Sequence, residues 1–318
     1  MSSVSEGRFL SSSVPLLTRV PRFATLLTDD GVPVEAVYEP CTAGSGAPVD
    51  TAAETLAIVV AHGFTGSADR PAVRRAARAF AQRAAVITFS FRGHGRSGGR
   101  STVGDREVLD LAAAVAWARE LGHARVVTVG FSMGGSVVLR HGALYTDADA
   151  DTDTGTRSGT ADSGVPDASV RVAARERHRG RMGAHSDAVV SVSAPARWYY
   201  RGTAPMRRLH WVVTRPSGRF VGRYGLRTRI ATEEWNPVPL SPVQSVPLIA
   251  PAPLLLVHGD RDPYFPLDHP RMLADAAGAG GAELWLERGM GHAENAADDA
   301  LLTRIADWAV AACPIMDN

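Results

Sequence analysis

The chain has 318 residues, 45% of them hydrophobic and 21% charged, with a formal net charge of +1. That length holds one large α/β domain plus an accessory piece, and a net charge so near zero gives no global field to recruit nucleic acid or an acidic surface. No run of 18 apolar residues occurs, so no membrane-spanning helix is expected.

Residues 1–22 read as a flexible lead-in. Glu6 comes early, no apolar core is sustained and no small-residue cleavage site follows, so no signal peptide is expected and the location is read as cytoplasmic. "FATLLTDDGVPVEAVYEP" (23–40) predicts two strands around the turn Asp30-Gly31. "TAGSGAPVDTA" (42–52) is a loop, and "TLAIVVAHGF" (55–64) is a buried strand. "PAVRRAARAFAQRA" (71–84) is a helix with proline at its start, and "AVITFSFRG" (85–93) is a strand running into "GHGRSGG". "DREVLDLAAAVAWARELG" (105–122) is a helix, with Asp105 and Asp110 read as charges at its start. "ARVVTVGFS" (124–132) is a strand, and "GGSVVLRHGALY" (134–145) is a helix.

Residues 146–186 are poor in apolar side chains, acidic at first and basic at the end, and read as a disordered insertion. Their aspartates lack the glycine and terminal glutamate spacing of a calcium loop, and no zinc spacing occurs elsewhere, so no metal is expected. Order returns with a strand at 188–196. Residues 197–250 are rich in Pro, Trp, Tyr and Arg and read as a small helical cap. A strand (252–260), a helix (270–278), a strand (282–290) and a closing helix (297–312) complete the chain. Strands alternating with helices predict a doubly wound, mostly parallel sheet. Its core comprises 23–196 and 251–318. Cys41 and Cys313 are read as free thiols of a reducing compartment rather than as a disulfide.

The stretch "TVGFSMGGS" (128–136) sets Ser132 between Gly130 and Gly134, on a strand-turn-helix junction. That context suits a nucleophile elbow, in which a sharp turn lifts a hydroxyl above the sheet. The amide of Met133 then lies at a helix N-terminus, where it can donate to an oxyanion. In a doubly wound sheet ligands bind beyond the C-terminal strand ends. "HGFTGS" (62–67), "HGDRDP" (258–263) and "GMGHAENA" (289–296) occupy such ends.

With the order Ser…Asp…His, these motifs together resemble the α/β-hydrolase family, over nearly the whole chain. The resemblance implies that fold, with Ser132 as nucleophile, His292 as base and Asp262 as the acid that orients it. Asp260 competes with Asp262 and is otherwise a loop cap. It also implies an oxyanion hole from the Phe64 and Met133 amides, and no cofactor. His62, His94 and His258 are read as structural, and His269, between a late strand and the helix that follows it, could displace His292 only if a different strand were the last. A serine nucleophile argues against relatives of this fold that attack with Asp or Cys. The implied activity is that of a serine esterase forming an acyl-enzyme. A thioesterase, acyltransferase or C–C bond hydrolase would use the same triad, and a non-catalytic receptor would usually show a broken one.

The expected partner is a small-molecule ester, anionic or acyl in character. Within 197–229 there are nine arginines and no acid. They read either as anion recognition, with Arg207 and Arg208 as candidates, or as the bias of a chain that contains no lysine. Trp198, Tyr199 and Trp211 are candidates for an acyl pocket, or else for packing the cap onto the core.

Overall fold

The computed structural model describes residues 20–42, 55–146 and 183–313. The lead-in over 1–19, most of the loop at 42–52 and the insertion over 147–182 lie outside the described residues. The strands are β1 (Arg22–Leu27), β2 (Pro33–Glu39), β3 (Leu56–Ala61), β4 (Ala85–Phe89), β5 (Arg125–Phe131), β6 (Ala188–Val192), β7 (Leu254–Gly259) and β8 (Glu283–Glu287). They form one sheet in the order β1-β2-β4-β3-β5-β6-β7-β8. The pairs β1–β2 and β2–β4 are antiparallel, and from β4 to β8 every pair is parallel. The central strands β3, β4, β5, β6 and β7 are buried throughout apart from Arg125 at the start of β5, as a sheet covered on both faces requires.

Two apolar cores follow, one on each face. On one, Val108, Leu111 and Val115 of α2 (Glu107–Glu120) pack with Val137, Val138 and Leu139 of α3 (Met133–Leu144). On the other, Val73, Ala77 and Phe80 of α1 (Pro71–Phe80) pack with Leu302, Ile305 and Ala309 of a closing helix, Asp299–Ala312. The doubly wound sheet read from the sequence is therefore the fold.

Residues 197–250 leave the end of β6 and form α4 (Ala204–Thr214), α5 (Pro216–Tyr224) and a short α6 (Pro242–Ser245). Proline opens each of these helices, where its missing N–H costs nothing. The segment is fastened to the core by backbone bonds: Ser101 donates to the Arg229 carbonyl at 2.7 Å and Ala231 to the Ser101 carbonyl at 2.8 Å. The chain then runs through β7 to α7 (Asp268–Ala277), β8, α8 (Ala293–Ala296) and α9 (Asp299–Ala312).

One expectation is corrected. Asp110 is not a solvated charge at a helix start: it is buried, accepting the Arg92 amide at 2.8 Å and the Arg92 guanidinium at 2.7 and 2.9 Å. Asp30 closes the network on the far side of Arg92, at 2.7 and 2.9 Å. Asp105 lies outside α2, beside Arg140 at 3.4 Å. Glu107 opens the helix instead, accepting the amides of Thr102 at 2.8 Å and Gly104 at 2.9 Å.

Candidate active site

The site begins with the turn between β5 and α3. Ser132 has φ 53° and ψ −112°, a left-handed conformation that a non-glycine residue adopts only where its surroundings enforce it. Its N–H donates to the Val192 carbonyl at 2.8 Å, and its own carbonyl accepts from Ser136 at 3.1 Å. The flanking glycines make the turn sterically feasible. A Cβ at Gly130 would collide with the Gly134 carbonyl, and one at Gly134 with the Ala61 carbonyl of β3. The strain at Ser132 thus rests on bare backbone at both neighbours.

The hydroxyl so presented lies 2.8 Å from His292 Nε2. His292 Nδ1 lies 2.7 Å from Asp262 Oδ2. The three residues come from the loops after β5, β7 and β8, at one edge of the sheet, as the sequence predicts. Asp262 is enclosed, and its other oxygen, Oδ1, accepts the amides of Tyr264 at 2.8 Å and Phe265 at 3.1 Å. Burial opposes its ionisation, but the His292 hydrogen bond and charge together with these amides outweigh it and hold the carboxyl below the ordinary aspartate range. The rings of Tyr264 and Phe265 pack against the His292 ring, with centroids 4.3 and 5.6 Å away. Asp260 takes the loop-cap role, accepting the Gly289 amide at 2.6 Å.

The other histidines are engaged in holding loops. His62 Nε2 accepts the Phe91 amide at 3.0 Å, so Nδ1 carries the proton and donates to the Gly63 carbonyl at 2.7 Å. Burial and neighbouring His94 push its pKa down to about 3. His94 is held in the same manner, accepting from Thr65 at 3.3 Å and donating to the Arg92 carbonyl at 3.0 Å. His258 donates to the Phe265 carbonyl at 2.9 Å, and His269 accepts the Ala196 amide at 2.9 Å.

A cavity of about 490 Å³ opens over Ser132. Phe64 and Met133 border it on the core side. Met133 is the first residue of α3, where a helix offers its N–H no acceptor. Trp198, Tyr199, Trp235, Met206 and Ile230 are among the residues that line the far wall. Trp198 and Tyr199 thus border the space over Ser132. Trp198 donates to the Pro239 carbonyl at 3.0 Å and Trp235 to the Thr102 carbonyl at 2.8 Å, which fixes both indoles as wall. Arg207, Arg208 and Trp211 do not line this cavity. Successive helical positions turn by a fixed angle, and α4 directs 206, 209 and 213 inward. Arg207 and Trp211 fall on the next row, facing a separate groove, and Arg208 is exposed and borders neither.

Sequence reading missed one participant. Glu294, two residues after His292, is buried, and its Oε1 accepts the Gly63 amide at 3.2 Å. It ties the histidine loop to the loop carrying Phe64. Its place in "GMGHAENA" was visible, but its partner lies 231 residues away.

The alpha/beta hydrolase family matches residues 58–304, and the chain belongs to that family. Among solved structures it is similar to the esterase Pf2001 of Pyrococcus furiosus, at 18% identity and TM-score 0.60, with 95% of each chain covered. It is similar also to the alpha/beta hydrolase GrgF of Penicillium sp. sh18, at 15% identity and TM-score 0.59, covering 91% of this chain and 98% of that one. The esterase domain of a Rhodothermus marinus protein aligns at 18% identity and TM-score 0.54, covering 92% and 97%. At such identities the likeness is one of fold. No protein of curated function matches the chain in sequence. Among the described residues no helix is long and apolar enough to cross a membrane, and no cluster of His, Cys, Asp or Glu is arranged to hold a metal ion. Cys313 is a free thiol, and burial pushes it up to about 11.

Proposed function

We propose that this chain is a serine esterase that cleaves a carboxylic ester through an acyl-enzyme. The observation that carries this reading is the relay Asp262–His292–Ser132, at 2.7 and 2.8 Å, opening into a cavity walled in part by aromatic side chains. A serine hydroxyl is a poor nucleophile until a base takes its proton. His292 Nε2 takes that proton as Oγ bonds to the ester carbon, and the carbonyl oxygen becomes an oxyanion. The amides of Phe64 and Met133 receive the oxyanion. As the tetrahedral intermediate collapses, the C–O bond to the alcohol breaks and His292 returns the proton to the departing alkoxide. Water then repeats the sequence on the acyl-Ser132 ester and releases the acid. Asp262 remains ionised throughout, fixing the tautomer and stabilising the imidazolium. Residues 197–250 act as the cap that forms the far wall of the cavity.

The test is a panel of p-nitrophenyl esters of graded chain length, run beside matched acyl thioesters, with fluorophosphonate labelling of Ser132. Ester turnover together with labelling supports the reading. Preference for thioesters would move the assignment to a thioesterase, and absence of labelling would remove the nucleophile.

A further inference from the structure

Helix α4 is a partition between two cavities. Met206, Leu209 and Val213 face the one over Ser132. Arg207 and Trp211, one position further round, face a groove of about 480 Å³ on the outer side. Arg201, His210 and Thr214 border both. This is what helical periodicity produces, because 206, 209, 210 and 213 form one stripe and 207, 210, 211 and 214 the next. The two cavities thus adjoin at Arg201, His210 and Thr214.

The groove's chemistry is one-sided. Arg201, Arg207, His210, Trp211, Thr214 and Arg215 line it, and no carboxylate does. Among the described residues no acid pairs with Arg201, Arg207 or Arg215. Arg207 donates instead to carbonyls, that of Gly202 at 3.1 Å and that of Arg201 at 3.4 Å. Outside the groove some arginines meet an acid, as Arg197 does Asp268 at 3.1 Å, Arg304 Glu287 at 3.1 Å and Arg119 Asp187 at 2.6 Å, and others do not; what sets the groove apart is that its arginines gather without a carboxylate in its lining. Residues 197–229 hold nine of the 34 basic residues and none of the 33 acids, leaving 25 and 33 for the rest of the chain. Burial and the Arg201 charge both press the His210 pKa downward, as a positive local potential requires. Guanidinium groups gathered without counter-charge repel one another, and their planar forks match a multi-oxygen anion.

We propose that this groove is an anion subsite that binds a phosphate group, so that the substrate is a carboxylic ester carrying a phosphate on the side away from the scissile bond. The proposal rests on the esterase reading of Ser132. Three cations around one groove fit a dianion better than a single carboxylate, and Trp211 supplies a flat apolar flank for the linking carbons.

Two measurements test it. The first compares kcat/KM for the butanoyl ester of glycerol with that of glycerol 3-phosphate, which differ only in the phosphate. The wild-type ratio is expected to favour the phosphate ester by about tenfold or more at low salt, and to shrink as salt screens the groove. In R207Q/R215Q that ratio should fall towards one. A wild-type ratio near one, or a ratio that survives both substitutions, overturns the proposal. The second measures hexyl phosphate against 1-hexanol by calorimetry on Ser132→Ala protein, where no turnover is needed. Binding of the phosphate alone, lost in the triple variant that adds R207Q/R215Q, supports the subsite even if neither ester is cleaved. In that event only the esterase reading fails. Equal heats for the two probes overturn the subsite while leaving ester turnover intact. Sedimentation with phosphatidylserine vesicles in the absence of hexyl phosphate binding also overturns it, and would reassign these arginines, with exposed Phe220 and Tyr224 on α5, to a lipid surface.

Discussion

The two sides of the cavity over Ser132 are built on different terms. On the core side the relay and its supports are committed to one another. Both Asp262 oxygens are occupied, the Ser132 backbone is bonded through its N–H and its carbonyl, and the Gly63 amide is held by Glu294. On the α4–α5 side, Trp211, Phe220 and Tyr224 are 44%, 65% and 65% exposed, and Arg201, Arg207 and Arg215 have no acid beside them among the described residues. In the proposed reaction the core side sets the chemistry, because a proton relay tolerates little displacement. The other side offers contacts that wait on a ligand, which is where one hydrolase differs from the next.

The sharpest break in this contrast is Ser132→Ala. Turnover should fall by about 10⁴-fold or more and fluorophosphonate labelling should vanish, while the thermal midpoint stays at or above that of the parent, since alanine in the same turn loses only the hydroxyl. Robust labelling of the variant would displace the nucleophile. Next comes the pair Asp262→Asn and Asp260→Asn. The first should cost about 10⁴ in kcat, by favouring the wrong His292 tautomer. The second removes only the strength of a loop cap at Gly289 and should leave kcat within about threefold. The reverse ranking would show that Asp260 orients the base.

Acid sharpens the contrast in a different way, through stability. The buried ring of His269 is held down to about 4 by burial, and that of His62 to about 3. In the unfolded chain both titrate near 6.5. Below about pH 6.5 the unfolded state therefore binds protons that the folded state does not, and stability falls as the pH drops toward 4. The slope is about 1.4 kcal/mol per pH unit for each such histidine once its unfolded form is fully protonated. Asp262 acts lower down: its folded pKa is depressed, so its stabilisation is present above the unfolded aspartate value and is lost only as the pH falls through the folded one. His269→Asn keeps an acceptor for the Ala196 amide and should remove about one proton from the slope between pH 6 and 4.5. Urea midpoints across that range measure it, and an unchanged slope would mean that His269 is already charged in the folded protein.

What the sequence made legible depended on how local the determinants were. The elbow was readable because Gly130, Ser132 and Gly134 lie within five residues and their collisions are with immediate neighbours or the adjacent strand. The sheet was readable because its central strands are near-continuous runs of β-branched and apolar residues. The Asp110–Arg92–Asp30 network was not, because its members lie on three elements and nothing about Asp110 alone separates a buried ion pair from a helix-start charge. That Arg207 and Trp211 face the outer groove rather than the cavity over Ser132 was not legible either. Their side depends on the rotation of α4 about its axis, fixed by tertiary bonds such as that from Thr203 to the Tyr264 carbonyl at 2.9 Å.

The smallest expected effect tests whether the two halves of the core site are mechanically joined. Glu294 is the only described side chain that accepts the Gly63 amide, and Gly63 precedes the Phe64 amide assigned to the oxyanion hole. Glu294→Ala leaves that amide buried without an acceptor, so the loop should relax and the Phe64 donor should lose its aim. Oxyanion donors act in the transition state more than in the ground state, so kcat should fall by about tenfold with KM changed by less than about twofold. Glu294→Gln keeps an acceptor oxygen in place and should restore kcat to within about threefold of the parent. A residue that merely filled space would give the same kcat for alanine and glutamine at equal stability, and that result would separate the histidine loop from the oxyanion loop. A rise in KM alone would place Glu294 with the substrate-binding wall instead.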